Sequence, residues 1–173
     1  MIESVTIPTK LYISKVKDFE KHKDTLLALI NCMPSVGTSS VSKSDWLLSS
    51  LQEKSYLDYF YKHIANDYMR DLMIEMKATS WNIGKGWYQQ YEEGSYHVFH
   101  NHAKTNFTNI FYLELPDDNY KTIIKNDDGE LIYNKATEGD IITFPAHLLH
   151  KSKPNGNKRK TVISFNSNFY YDL

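Results

Sequence analysis

Seven histidines occur in the chain, and five of them, His97, His100, His102, His147 and His150, fall in its second half. The segment Tyr96 to His102 reads Tyr-His-Val-Phe-His-Asn-His. In an extended strand, residues two apart point to the same face, so His100 and His102 project together and His97 is expected to project oppositely. Two neutral imidazoles with convergent nitrogens chelate iron, zinc, copper or nickel, and a facial site needs a third ligand from elsewhere. The stretch Glu138 to His150 supplies one: a Gly-Asp turn, a short apolar strand Ile141 to Phe144, a stop at Pro145, and His150 where the chain turns back. His147, just after the proline, is the competitor and is expected on the turn. A lone strand histidine is ordinarily a surface or hydrogen-bonded residue. The combination is what points to a metal.

Ten residues beyond His150 the strand-prone run Lys160-Thr161-Val162-Ile163-Ser164-Phe165-Asn166 begins with a cation that could reach a carboxylate held beside the metal. Arg159 points to the other face of a regular strand, so only one of the two can serve. The ordinary alternative is that both are solvated charges of the run Lys158-Arg159-Lys160.

These residues need a scaffold. From Trp81 to Tyr91 apolar and polar residues alternate, and the later segments up to Tyr171 have strand length and strand composition, separated by turn signals at Glu92 to Gly94, Pro116 to Asn119, Asn126 to Gly129, Glu138 to Asp140 and Pro154 to Asn157. The first half reads differently. A strand over Lys10 to Ser14 precedes a helix capped at Asp18 and stopped by Pro34, and Ser35 to Ser44 forms a loop and hinge candidate. Ser44-Asp45-Trp46 is expected to lead into a second helical region. Leu57, Phe60, Ile64, Tyr68, Leu72 and Met76 fall at spacings of three and four, one face of a helix that needs a sheet to lie on. The expected architecture is α+β, with the helices of residues 1–80 covering one face of a β core over 81–171, in a single domain.

Composition narrows the function classes. With 173 residues, 41% hydrophobic and 24% charged, the chain can build a core without staples and is not disordered. Lys+Arg 20 against Asp+Glu 21 gives no global electrostatic reason for nucleic-acid or membrane-surface binding. No apolar run approaches the roughly 20 residues of a membrane span. The start MIESVTIPTK lacks the basic and apolar regions of a secretion signal, and Cys32 is the single cysteine. A reducing, cytoplasmic location is expected.

Trp87-Tyr88-Gln89-Gln90-Tyr91, Gly94, His97, His100-Asn101-His102, Thr108 to Leu113, Gly139 to Pro145, His150 and Ser164-Phe165-Asn166 together resemble the 2-oxoglutarate and iron(II)-dependent oxygenases of marine phages and bacteria. The likeness covers Trp81 to Asn166, and Ser44-Asp45-Trp46 with the Tyr56-Leu57 helix start is similar to the family's amino-terminal half. The resemblance implies a double-stranded β-helix (jelly-roll, cupin-like) packed against helices. It makes His100, His102 and His150 the catalytic metal ligands, where the wider superfamily has two histidines and a carboxylate. Lys160 stands at the strand position that holds Arg in many relatives, and Tyr88, Gln89, Tyr91 and Tyr112 are candidates for the cosubstrate pocket; ordinary packing is the competing role for the aromatic ones. The implied activity is hydroxylation of a small-molecule or peptide substrate with iron(II), dioxygen and decarboxylation of 2-oxoglutarate to succinate. A phage-encoded member would act in the host cytoplasm.

Two other readings stay open. A three-histidine cupin would act on its substrate without 2-oxoglutarate and would have no evident use for Lys160. A non-catalytic jelly-roll binding module would hold a metal without turnover. The loops Lys104 to Phe107 and Asp117 to Asp128 are expected to frame the pocket entrance, and an exposed sheet edge leaves a homodimer open.

Overall fold

The computed structural model describes residues 9–37, 40–49 and 51–172. The signal-like features sought at the amino terminus therefore fall mostly outside the described residues, as do positions 38 and 39 of the loop after Pro34.

Helix α1 (Phe19–Asn31) follows strand β1 (Tyr12–Lys15), with Asp18 at its N-cap in a left-handed conformation and without a side-chain cap bond. The second helical region does not begin at Ser44. Residues Lys43–Ser44 instead form a short strand, β2, and α2 starts at Ser55. The reason is that Ser44 and Asp45 are claimed by the sheet: Ser44 Oγ donates to the Tyr88 carbonyl at 2.8 Å, and the Asp45 carboxylate accepts from the Tyr88 backbone N–H at 2.9 Å.

α2 (Ser55–Phe60) passes through a π-helical turn (Tyr61–Ala65) into α3 (Asn66–Met76). A π turn inserts one residue into the helical repeat, so the apolar face changes phase there. Leu57, Phe60 and Ile64 are buried as their spacing predicts, but beyond the turn it is Met69, not Tyr68, that is fully enclosed. Tyr68 stays at the edge of the core and hydrogen-bonds Thr143 Oγ1 at 2.6 Å.

Eight further strands follow: β3 (Ser80–Tyr91), β4 (His97–His100), β5 (Phe107–Glu114), β6 (Ile123–Lys125), β7 (Leu131–Tyr133), β8 (Asp140–Pro145), β9 (His150–Ser152) and β10 (Lys160–Tyr170). They form a large sheet in the order β1-β8-β5-β10-β3-β2 and a small one in the order β4-β9-β6-β7. All pairings are antiparallel. The mainly helical region thus supplies both edge strands of the large sheet, β1 where a strand was expected and β2 where none was.

The central strands of the large sheet are buried on both faces, and period-2 alternation sorts their side chains. Tyr88, Phe111, Ile141, Ile163 and Phe165 pack against the helices. Ile110, Tyr112, Ile142, Phe144 and Val162 face the small sheet, where they meet Ile124 and Leu148. Two glycines permit close approaches. Gly86 lies under Tyr61 and Leu57, where a Cβ would collide with the Tyr61 hydroxyl. Gly139 turns the chain into β8 at φ 85°, and a Cβ there would stand 2.8 Å from the Phe19 ring.

Candidate active site

His100 and His150 are direct cross-strand partners on β4 and β9. His102 lies just beyond the end of β4, tied by its backbone N–H to the Ala146 carbonyl at 3.0 Å. The three rings converge between the sheets, and one ligand nitrogen from each lies within 4.8 Å of the others. Each strand histidine is oriented by its own backbone: His100 Nδ1 donates to the Val98 carbonyl at 2.8 Å, and His150 Nδ1 to the Leu148 carbonyl at 3.1 Å. That leaves Nε2 of both rings as a free lone pair, the tautomer a metal requires. His102 is wedged against Trp87, with ring centroids 5.5 Å apart.

Burial keeps the cluster uncharged. Desolvation pulls His150 down to about 3 and His102 to about 4, with neighbouring imidazoles adding to both shifts. His100 is lowered for the same first reason. Three neutral imidazoles that need no deprotonation at neutral pH suit a first-row divalent ion.

His97 does not project oppositely. Three residues of β4 separate by register what two residues of β9 span, since His97 pairs with Ser152 and His100 with His150. This extra residue is a bulge, which rotates His97 onto the inner face. Its ring stacks on His100 at 3.8 Å, and its Nδ1 lies 3.3 Å from Gln89 Nε2. Burial first, then His100, His102 and Lys160, push it down to about 4.

Inner-face residues of β3 and β10 pair as Tyr91 with Lys160, Gln89 with Val162 and Trp87 with Ser164, and they floor a narrow pocket that continues from the histidines. Lys160 is 1% exposed at its closed end. Its Nζ donates to the Tyr120 carbonyl at 2.9 Å and to Ser152 Oγ, and stands 4.2 Å over the Tyr91 ring. No ion pair among the described residues involves it. A buried ammonium with only neutral partners is costly, and burial lowers Lys160 to about 7. Such a cation fits an anionic ligand.

The other candidates lie elsewhere. Arg159 faces away and forms a two-pronged pair with Glu114, at 2.8 and 2.9 Å. Tyr112 is fully enclosed in the inter-sheet core, where its hydroxyl accepts the Thr122 N–H at 3.0 Å. Tyr88 belongs to the helix-facing side and packs edge-on against Tyr56. His147 is on the turn after Pro145, 3.3 Å from Asp127.

A cleft of about 210 Å³ opens the histidine cluster to solvent. Its roof is Val36, Val41, Trp46 and Leu47, rather than the segments 104–107 and 117–128 expected to frame it. Asp45, with 0% exposed, fixes this roof: besides Tyr88 it holds the Tyr56 hydroxyl at 2.7 Å and Lys54 Nζ at 2.8 Å. Trp46 then stacks edge-on against Trp87 at 4.4 Å. Neither the roof nor Ser152 carries a local sequence signal, because each acquires its role by docking against a distant strand.

Comparison with solved structures finds chains that share this architecture. An oxidoreductase of the 2OG-Fe(II) oxygenase family from Burkholderia pseudomallei aligns over 84% of this chain and 77% of its own, with a TM-score of 0.68 and 12% identity. The fold is that of the 2OG-Fe(II) oxygenases. The viral collagen prolyl hydroxylase of Paramecium Bursaria Chlorella virus-1 covers 93% of this chain and 97% of its own (TM-score 0.60, 16% identity). A Trichoplax adhaerens prolyl hydroxylase in complex with a hypoxia inducible factor peptide fragment covers 94% and 83% (TM-score 0.60, 13% identity). No protein-family model and no curated protein matches the sequence. Among the described residues no helix is long and apolar enough to cross a membrane.

Proposed function

We propose that this protein is an iron(II)- and 2-oxoglutarate-dependent oxygenase that hydroxylates a peptide side chain or small molecule presented through the Trp46 cleft. The observation that carries the reading is Lys160: a buried ammonium without a carboxylate partner, in the pocket that also contains the three-histidine cluster. A three-histidine metal protein acting directly on its substrate would have no use for that cation.

His100, His102 and His150 would hold the iron, with the Nε2 lone pairs of His100 and His150 available without loss of a proton. Bound iron, with 2-oxoglutarate and dioxygen, supplies the oxidising chemistry: one oxygen atom enters the substrate C–H bond, and the other enters succinate as carbon dioxide leaves. Lys160 binds the distal carboxylate of the oxo acid, a role its flexible stem and point charge allow in place of a guanidinium. Ser152 and the Tyr120 carbonyl aim the ammonium, and Tyr91 and Gln89 wall the pocket beside it. Because the three imidazoles are neutral, the site would leave the charge of the iron to be balanced by an anionic ligand. Trp46, Trp87 and Val41 exclude water from the outer side and orient the substrate C–H bond.

The test is anaerobic titration of iron(II), then 2-oxoglutarate, into metal-free protein. The expected result is a weak visible charge-transfer band that is absent from His150→Ala, followed by succinate formation in air. Iron binding without the band moves the reading to a direct-acting three-histidine enzyme, and no metal binding overturns both.

A further inference from the structure

Between the cation and the metal ligands lies a residue to which the proposed reaction assigns no part. Lys160 Nζ donates to Ser152 Oγ, Ser152 is the cross-strand partner of His97, and the His97 ring stacks on His100 at 3.8 Å. A ligand that reaches from the ammonium to the metal must therefore pass along His97. The bulge in β4 is what brings His97 to this face; a regular strand would turn it to solvent. Gln89, one inward position along β3 from Tyr91, donates its amide N–H to His97 Nδ1 at 3.3 Å. The ring proton then resides on Nε2, which has no hydrogen-bond partner among the described residues.

We infer that His97 is the positioning residue for 2-oxoglutarate, donating Nε2–H to the carboxylate remote from Lys160 while its ring face supports His100. The pair Gln89–His97 and the ammonium of Lys160 then grip the two ends of the dicarboxylate separately. This inference rests on the oxygenase reading.

The experiment separates the two jobs of the ring. His97→Phe keeps the aromatic face and removes the N–H; Gln89→Leu keeps the imidazole and releases its tautomer. Each variant is titrated anaerobically with iron(II) and then 2-oxoglutarate, following the charge-transfer band. The expected result for His97→Phe is wild-type iron affinity, an oxo-acid affinity weaker by about tenfold, the loss of one hydrogen bond to a charged group, and a displaced band maximum. Gln89→Leu should show the same trend more weakly, and it serves if His97→Phe does not fold. An unchanged band and affinity in both variants overturns the inference and leaves the oxygenase reading standing. Loss of iron from His97→Phe, with oxo-acid affinity kept in Gln89→Leu, also overturns it. If wild-type protein gives no band at all, the reading itself has failed.

Discussion

His100 and His150 face each other across adjacent antiparallel strands, and each donates Nδ1–H to the carbonyl two residues before it in its own chain, Val98 and Leu148 respectively. The same local device on both strands frees Nε2 on both rings, so two of the three candidate ligands are oriented by the backbone alone.

Removal of one member should therefore abolish the site without unfolding the protein. His150→Ala is expected to lower iron(II) affinity by more than about 100-fold, beyond the 10–100-fold typical of losing only a supporting partner. Metal content after dialysis checks this, alongside an unchanged far-ultraviolet circular dichroism spectrum.

Lys160→Met separates binding from stability. The lost contact between a buried cation and a carboxylate is worth about 2–5 kcal/mol, so 2-oxoglutarate affinity should fall roughly 30-fold or more while iron still binds. The metal-free variant should equal or exceed the wild type in Tm, because an uncompensated buried charge has been removed. Calorimetric titration and thermal unfolding report the two effects.

The same ammonium sets a pH dependence. Burial lowers Lys160 to about 7 from 10.5, and only the charged form attracts a carboxylate. Oxo-acid affinity should be full below pH 7 and weaken by up to about tenfold per unit above it, with proton uptake on binding. For folding the sign is opposite: between pH 7 and 10.5 the unfolded chain holds the extra proton, so this group's contribution to stability rises with pH. Titrations in buffers of different ionisation enthalpy measure the uptake.

In acid the histidines govern. His97 and His102 are lowered to about 4 and His150 to about 3, against 6.5 for a free imidazole. Below 6.5 the unfolded chain takes up protons that the folded cluster refuses, so stability of the metal-free protein should decline as pH falls from 6.5 towards 4. Bound iron should steepen the decline, since protons then compete with metal as well. Thermal melts from pH 8 to 4, with and without metal, test both statements.

Asp45 is expected to be the most sensitive position outside the pocket. Asp45→Ala removes the carboxylate that pairs with the Lys54 ammonium and accepts from the Tyr56 hydroxyl and the Tyr88 N–H. Breaking a buried pair costs about 3–5 kcal/mol, which at this chain length lowers Tm by roughly 6–20 °C. Trp46 should lose its packing on Trp87, visible as a change in tryptophan emission before the unfolding transition.

The alternation of β3 and β10 was legible from residue types, because a strand's period of two is a local property of the backbone. It separates Lys160 from Arg159 without reference to any other strand. His100, His102 and His150 could be nominated from their spacing for the same reason. What the sequence could not reveal depends on partners far away in the chain. The bulge that turns His97 inward exists only by register against β9, some fifty residues later. The phase change from Tyr68 to Met69 arises from a π turn fitted to the large sheet. Asp45 reads locally as part of the lead-in to a helix, yet it is buried as an acceptor for β3 and α2, and only that docking carries Trp46 over the histidines. Residue types and short spacings thus determined the chemistry available to this protein, while tertiary packing decided which side chains share a pocket, because nearest-neighbour preferences carry no information about what lies across the gap between two sheets.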